Sequence, residues 1–312
     1  MVVLKAFVDG FSATLKAPRL LALLWLTLLL AAVPFGLLMR QSIADDIGGS
    51  RAHVELRQRM DMLWLDEFHD RAPALAEALK PVRLARADFL HNLDLLVGGR
   101  LFSQNPALVA AGVGYALIWL LTLGGVVDRF ARGGGRFVLS QFLAACGRYL
   151  GRLLRLTAVA ALIYWLLYLA ARWVFTAIEA GTQDVTKEAS ILAYYLLTSL
   201  GFALVVGLVM MVFDYARIAS VLDEETNTLL ALERGLLFVV RHPWSVVALA
   251  LLMVVATLGL IALRTLVAPG VAEAQAGTIL LVFLFGQLFV LARLASRLAL
   301  VGAEASLYRA LR

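Results

Sequence analysis

"ILAYYLLTSLGFALVVGLVMMVFDYARIASVLDEE", Ile191 to Glu225, opens with twenty-three uncharged, mostly apolar residues and then sets an acid, an aromatic and a base close together. Crossing about 30 Å of hydrocarbon takes about 20 apolar residues as a helix, because each adds only about 1.5 Å of rise. The stretch therefore reads as a membrane-spanning helix, Ile191 to Phe213, with Asp214 and Arg217 where hydrocarbon gives way to water. Five further runs qualify: Leu20 to Met39, Ala107 to Val127, Leu156 to Ile178, Trp244 to Leu263 and Ala274 to Ala292. Only the third contains a charge, Arg172, near one end where its long stem reaches the interface. These are continuous apolar runs and not alternating ten-residue segments, which favours helices over a barrel.

Composition agrees. Of 312 residues 62% are hydrophobic and 16% charged, with a mean hydropathy of +0.86, more apolar surface than one soluble core could hide. The net charge of +6 would suggest nucleic acid in a soluble protein. Here no Lys/Arg run is interleaved with exposed aromatics, so nucleic acid is not an expected partner; the basic residues fit topology and anionic lipid.

Lys and Arg placement sets the orientation. One side of the membrane would hold sixteen: three before the first span, six between the second and third, three between the fourth and fifth, and four after the sixth. The short connections on the other side hold only Arg172, Lys187 and Arg264. This predicts a membrane protein with both termini in the cytoplasm. The first run is long for a signal peptide and lacks a small-residue cleavage pattern, so it reads as a retained anchor, kinked at Pro34.

A threefold pattern runs through the chain. Before spans one, three and five stand "LKAFVDGFSATLKAPR", "FVLSQFLAACGRYLGRLLR" and "LLALERGLLFVVRHP", each amphipathic at helical spacing and ending in basic residues. In the first, Leu4, Phe7, Val8, Phe11 and Leu15 share one face, and Lys5, Asp9, Ser12 and Lys16 the other, the layout of a helix lying in the membrane surface. Residues 1–19, 128–155 and 214–243 are thus expected to carry interfacial helices, with 293–312 a cytoplasmic tail. The even spans share an exit: "VVDRFAR" at Val126 to Arg132, "VFDYAR" at Val212 to Arg217, and loosely "VLARLASR" at Val290 to Arg297, where Ala292 replaces the acid. Asp128 and Arg132 lie four apart and Asp214 and Arg217 three apart, so each pair shares a helix face as a membrane-exit contact. The expected fold is all-α: six transmembrane helices in three hairpins, each hairpin preceded by an amphipathic interfacial helix, with a small helical extracytoplasmic cap at residues 40–106.

Candidate sites are few. Arg148, Arg152 and Arg155 build one basic face that either contacts anionic lipid or merely holds its segment inside. In the cap, Asp66, His69 and Asp70 could converge on a cation, with His53 and His91 adding ligands, but such a row is more often the wet side of an amphipathic helix. The lone Cys146 gives no disulfide framework, and HExxH, Walker A, GxSxG and dinucleotide fingerprints are absent, so neither a cofactor nor catalysis is expected. "RGGGR", Arg132 to Arg136, lacks the strand and the GK[ST] of a phosphate loop. Inside the spans Gln287 is the most central strongly polar residue, and no Asp, Glu or His lies near a midplane, which counts against an ion-coupled pump. Glycine pairs Gly112/Gly114, Gly124/Gly125 and Gly201/Gly207 read as sites of close helix packing.

The run "GGVVDRFARGGGRFVLSQFLAACGRYLGRLLRL", Gly124 to Leu156, with "FDYARI", Phe213 to Ile218, resembles a set of uncharacterised bacterial multi-pass inner-membrane proteins. More distantly, the alternation of surface helices and hairpins is similar to the membrane-anchor domain of some glycerophosphodiester phosphodiesterases. The first resemblance implies a whole-chain membrane domain without an assigned activity. The second is architectural, lacks the catalytic domain, and carries over no functional residue. Together these readings imply a non-enzymatic scaffold, assembly or lipid-organising component whose partners are membrane lipids and a membrane protein. The runner-up is a transporter or permease subunit for a hydrophobic or lipid-like substrate.

Overall fold

The computed structural model describes residues 1–47, 64, 67–68, 106–133, 137–182, 188–267 and 276–312. Among them the elements are α1 (Val2–Leu15), α2 (Pro18–Ile47), α3 (Pro106–Ala131), α4 (Leu139–Thr182), α5 (Glu188–Leu222), α6 (Thr228–Arg241), α7 (Pro243–Val267) and α8 (Ala276–Leu311). No strand occurs in the described residues, and six helices, α2 to α5 with α7 and α8, are long and apolar enough to cross a bilayer. The chain is an all-α polytopic membrane protein.

Local chemistry punctuates these helices. Pro18, Pro106 and Pro243 each open one, where the missing N–H would have had no intrahelical acceptor. Gly133, at φ 81°, follows α3 in the left-handed conformation that stops a helix without a Cβ clash. Asn227 caps α6, its side-chain oxygen accepting from Leu229 N–H at 3.0 Å.

Several helices outrun the expected spans. α4 is a single 44-residue helix, about 66 Å at 1.5 Å per residue, so the amphipathic stretch before the third span is continuous with it and not a separate surface helix. α2 extends past Met39 to Ile47, with Pro34 inside it. α8 runs past Ala292 to Leu311, so residues 293–311 are helix and not a loose tail. Of the cap only Trp64, Glu67 and Phe68 lie beyond α2 among the described residues; Trp64 stacks on Phe68 at 5.1 Å and donates from Nε1 to Asp46 Oδ2 at 2.8 Å.

The core sits at one end of the bundle, the end that carries both termini, called here the terminal end. It draws buried side chains from all eight helices, among them Ala6, Leu20, Val126, Tyr149, Ile218, Phe238, Leu249 and Leu298. Three contacts organise it. The amphipathic start of α4 packs on the end of α3, where a Cβ on Gly125 would stand 2.6 Å from Phe142 and Cys146. α6 packs on the end of α5, where a Cβ on Gly235 would stand 2.6 Å from the Val212 carbonyl oxygen. α1 packs on the end of α8, where a Cβ on Gly10 would stand 2.3 Å from the Ala299 carbonyl oxygen. The amphipathic segments of α4 and α6 thus lean on the exit of the preceding hairpin, and α1 leans on the exit of the hairpin α7–α8.

α1 docks by a face that the amphipathic pattern does not mark. It buries its small residues Ala6, Gly10 and Thr14 against α8, and leaves Leu4, Val8 and Leu15 exposed, Leu15 at 78%. Small side chains let backbones approach closely, which is how membrane helices gain packing without a hydrophobic driving force. At the opposite, far end the spans present bulky apolar residues outward; Cβ atoms on Gly112 and Gly114 there, and on Gly201 and Gly207 along α5, would meet nothing within 4 Å. Of the three glycine pairs read as packing sites, only Gly124/Gly125 packs.

Candidate functional site

Polar and charged side chains collect at the terminal end, where the exits of α3, α5 and α8 meet the amphipathic segments. At the α5 exit, Arg217 Nη1 donates to Asp214 Oδ1 at 2.7 Å, with side chains 24% and 16% exposed. At the α3 exit, Arg132 Nε donates to Asp128 Oδ1 at 2.8 Å, and Tyr149 of α4 donates its hydroxyl proton to the same oxygen at 3.3 Å. The two pairs have similar chemistry in different surroundings, since Arg132 is 61% exposed and the α5 pair is mostly covered. The Asp128 hydrogen bond holds the Arg132 guanidinium above its ordinary value.

A third cluster joins the ends of α5, α6 and α8. Asp223, its side chain 5% exposed, is met by Arg234 at 3.1 Å and by Arg312 at 2.7 Å, while Arg234 also reaches Glu225 at 2.8 Å. The Tyr308 hydroxyl donates to Asp223 Oδ2 at 3.0 Å. Beside it, Tyr215, Phe238 and Tyr308 form an aromatic core, Phe238 lying 4.6 Å from Tyr215 and 4.9 Å from Tyr308 by ring centroids. On the α1 side, Ser306 donates to Asp9 Oδ2 at 3.1 Å.

The three basic residues of α4 divide. Arg148 and Arg155 are exposed, and Arg155 Nε donates back to the Gly151 carbonyl at 3.2 Å. Arg152 turns inward, 5.6 Å over the Tyr149 ring and 3.4 Å from the Ser220 carbonyl oxygen, so it tethers α4 to α5. Gln287 accepts from Trp25 Nε1 at 2.9 Å and ties α8 to α2. The histidine and aspartate ligands considered in the cap, His53, Asp66, His69, Asp70 and His91, lie outside the described residues, within which no metal-sized group of three His, Cys, Asp or Glu occurs.

Glu304 escaped the sequence reading, and Arg297, the last residue of the third exit motif, makes contacts that the motif did not foretell. Glu304 of α8 is 8% exposed, between the fully buried Ala303 and Ala305, and electrostatically it faces Asp214 and Arg217 across the α5 contact. Arg297, one helical turn past Arg293, stands 4.3 Å over the Trp119 ring of α3 and hydrogen-bonds the Tyr115 hydroxyl. Both fall in the segment read as a tail. A signal was present: "LALVGAEASLY", Leu298 to Tyr308, keeps small residues at Ala299, Gly302, Ala303 and Ala305 around one acid.

As chemistry, this band can hold charges and bond helices to each other. Besides the hydroxyls of Tyr149, Ser306 and Tyr308, which donate to carboxylates, Ser220 donates to the Glu225 carbonyl at 3.4 Å and the Cys146 sulfur lies 3.8 Å from the Thr122 carbonyl oxygen. Compared with known protein families, with curated protein sequences and with solved structures, the chain finds no match.

Proposed function

We propose that this protein is a non-enzymatic component of the bacterial inner membrane, both termini cytoplasmic, that scaffolds an assembly or organises lipid through its terminal-end helices. The supporting observation is the division of faces on α6. Ala231, Gly235, Phe238 and Val239 are buried against the bundle, while Leu229, Val240 and Trp244 at the start of α7 point away, Trp244 at 86% exposure. A bulky apolar stripe next to Arg234 and Arg241 fits the acyl–headgroup boundary of an anionic leaflet. Exposed Arg148 and Arg155, with Lys5 and Lys16 of the first segment, place further positive charge at the same end. The resemblance to bacterial multi-pass inner-membrane proteins points the same way.

The test is a dye attached to Val240→Cys in a Cys146→Ser background, with the protein in vesicles of mixed anionic and zwitterionic lipid. Spin-labelled acyl chains should quench it, and more strongly with anionic lipid present. A dye quenched only by aqueous reagents would end this reading. The runner-up, a permease subunit for a lipid-like substrate, draws support from a charge inside the packed part of the bundle, at Glu304.

A further inference from the structure

α3 and α8 run side by side in the same direction, and two arginines of α8 fix their register. Arg309 donates to the Ala131 carbonyl at 3.2 Å, and Arg297 stands 4.3 Å over the Trp119 ring. Twelve positions separate the two arginines and twelve separate their partners, so matching positions of the helices stand level. By that register Ala292, where the apolar run of α8 ends, is level with Gly114, although the apolar run of α3 continues to Val127. Burial explains this mismatch of about 20 Å in depth at 1.5 Å per residue. On α3, Val113, Leu117 and Leu121 are exposed, whereas Leu123, Val126 and Val127 are covered by protein. On α8 the change comes between Val290, exposed, and Leu294, buried. The last apolar turns of α3 are therefore core and need no lipid, and the lipid-facing surface of both helices stops near Arg293, Arg297 and Trp119.

At that level stands a guanidinium with unused capacity. Arg297 lies over Trp119, 5.3 Å from the Tyr115 ring centroid, and donates from Nη1 to the Tyr115 hydroxyl. It is exposed and forms no ion pair among the described residues; the acid that feels its field, Asp214, is bonded to Arg217. Arg293, one turn nearer the apolar run on the same face of α8, is also exposed and without an ion pair among the described residues. Aromatic rings hold a guanidinium by its face and leave its N–H edge available, and that edge matches the oxygens of a phosphate. Toward the far end the surface beside this edge is apolar and open. Cβ atoms on Gly112 and Gly114 of α3 and on Gly286 of α8 would meet nothing within 4 Å, and Val113, Leu117 and Leu288 face outward.

We propose that Arg293 and Arg297 of α8, with Tyr115 and Trp119 of α3, form a binding site for the phosphate of an anionic phospholipid whose acyl chains lie along the two helices. A lipid and not a soluble anion is assigned because the charges stand at the edge of the apolar surface. The proposal rests on the lipid-organising reading and names the lipid class and the place. It can fail alone, since quenching at Val240 reports contact with the leaflet whether or not Arg297 holds a head group.

Native mass spectrometry of the purified full-length protein in detergent, titrated with phosphatidylglycerol or with phosphatidylcholine of matched chains, tests it. The parent should prefer phosphatidylglycerol in the first binding step. Arg293→Gln and Arg297→Gln should each weaken that step about fivefold, the loss expected for one arginine at an anionic surface, and leave phosphatidylcholine unchanged. Arg148→Gln, at an exposed arginine away from the site, should leave the step intact; an equal loss there would reduce the attraction to general charge and overturn the site. A parent that does not distinguish the two lipids, or variants that bind phosphatidylglycerol as tightly as the parent, overturn it as well. So does displacement of the lipid by excess inorganic phosphate, which would assign the arginines to a soluble anion. Should Arg297→Gln fail to fold, Arg293→Gln carries the test, because that side chain is exposed and unpaired among the described residues.

Discussion

Glycine means opposite things at the two ends of this molecule. At the terminal end Gly10 and Gly235 meet backbone atoms of a facing helix, leaving no room for even a methyl group. At the far end Gly112 and Gly114 of α3 face open space, as do Gly201 and Gly207 along α5. The contrast teaches that in a membrane chain a small residue is a packing device only where a second helix is brought against it, and here that happens at the ring of amphipathic segments. The exit pairs repeat the lesson in electrostatic form, Asp214/Arg217 being enclosed and Asp128/Arg132 open on the arginine side.

Four substitutions probe the contrast, from the largest expected effect to the smallest. Gly10→Leu forces a branched side chain against the backbone of α8 and should cost about 3 kcal/mol, the upper range for overpacking, read as a fall in thermal midpoint in detergent. A variant as stable as the parent would mean that α1 does not dock there. Asp214→Asn leaves the half-buried Arg217 without its counter-charge and should cost about 2 kcal/mol in chemical denaturation. Asp128→Asn opposes an arginine in contact with water and should cost less than about 1 kcal/mol by the same measurement. If the two Asn variants proved equal, the difference in enclosure would have no energetic meaning. Gly201→Ala should be neutral or stabilising by up to about 1 kcal/mol, since it adds helix propensity and meets no neighbour. A clear loss at Gly201 would reveal a partner seated on the outer half of α5, and crosslinking from that position would identify it.

The parts of this architecture legible in the sequence were those set by solvent. A run such as Ile191 to Phe213 has to lie in hydrocarbon whatever its neighbours do, so the six spans could be found by length and polarity alone. The exit pairs were legible for a related reason, since three- and four-residue spacing fixes a shared helix face before any tertiary contact forms. What depended on a second helix was hidden. Hydrophobic periodicity marks Leu4, Val8 and Leu15 as the conspicuous face of α1, yet the docking face is Ala6, Gly10 and Thr14, which carry almost no hydrophobic signal. Arg293, Arg297, Arg309 and Arg312 made residues 293–312 look like a solvated tail, although Leu298, Ala303 and Leu307 between them are fully buried. Glu304 was missed with that segment, because a single acid among basic residues looks like surface until its neighbours are in place.

The seating of α1 on α8 has a consequence for biosynthesis. α1 is made before its partner α8, and Ala299 lies 289 positions after Gly10. At translation rates of about 5–20 residues per second, α1 waits on the order of tens of seconds for the surface it needs. During that interval its exposed leucines and valines have only lipid to meet. The nascent protein is thus held open at one seam until α8 emerges, and any factor that assists its assembly would have its longest opportunity there.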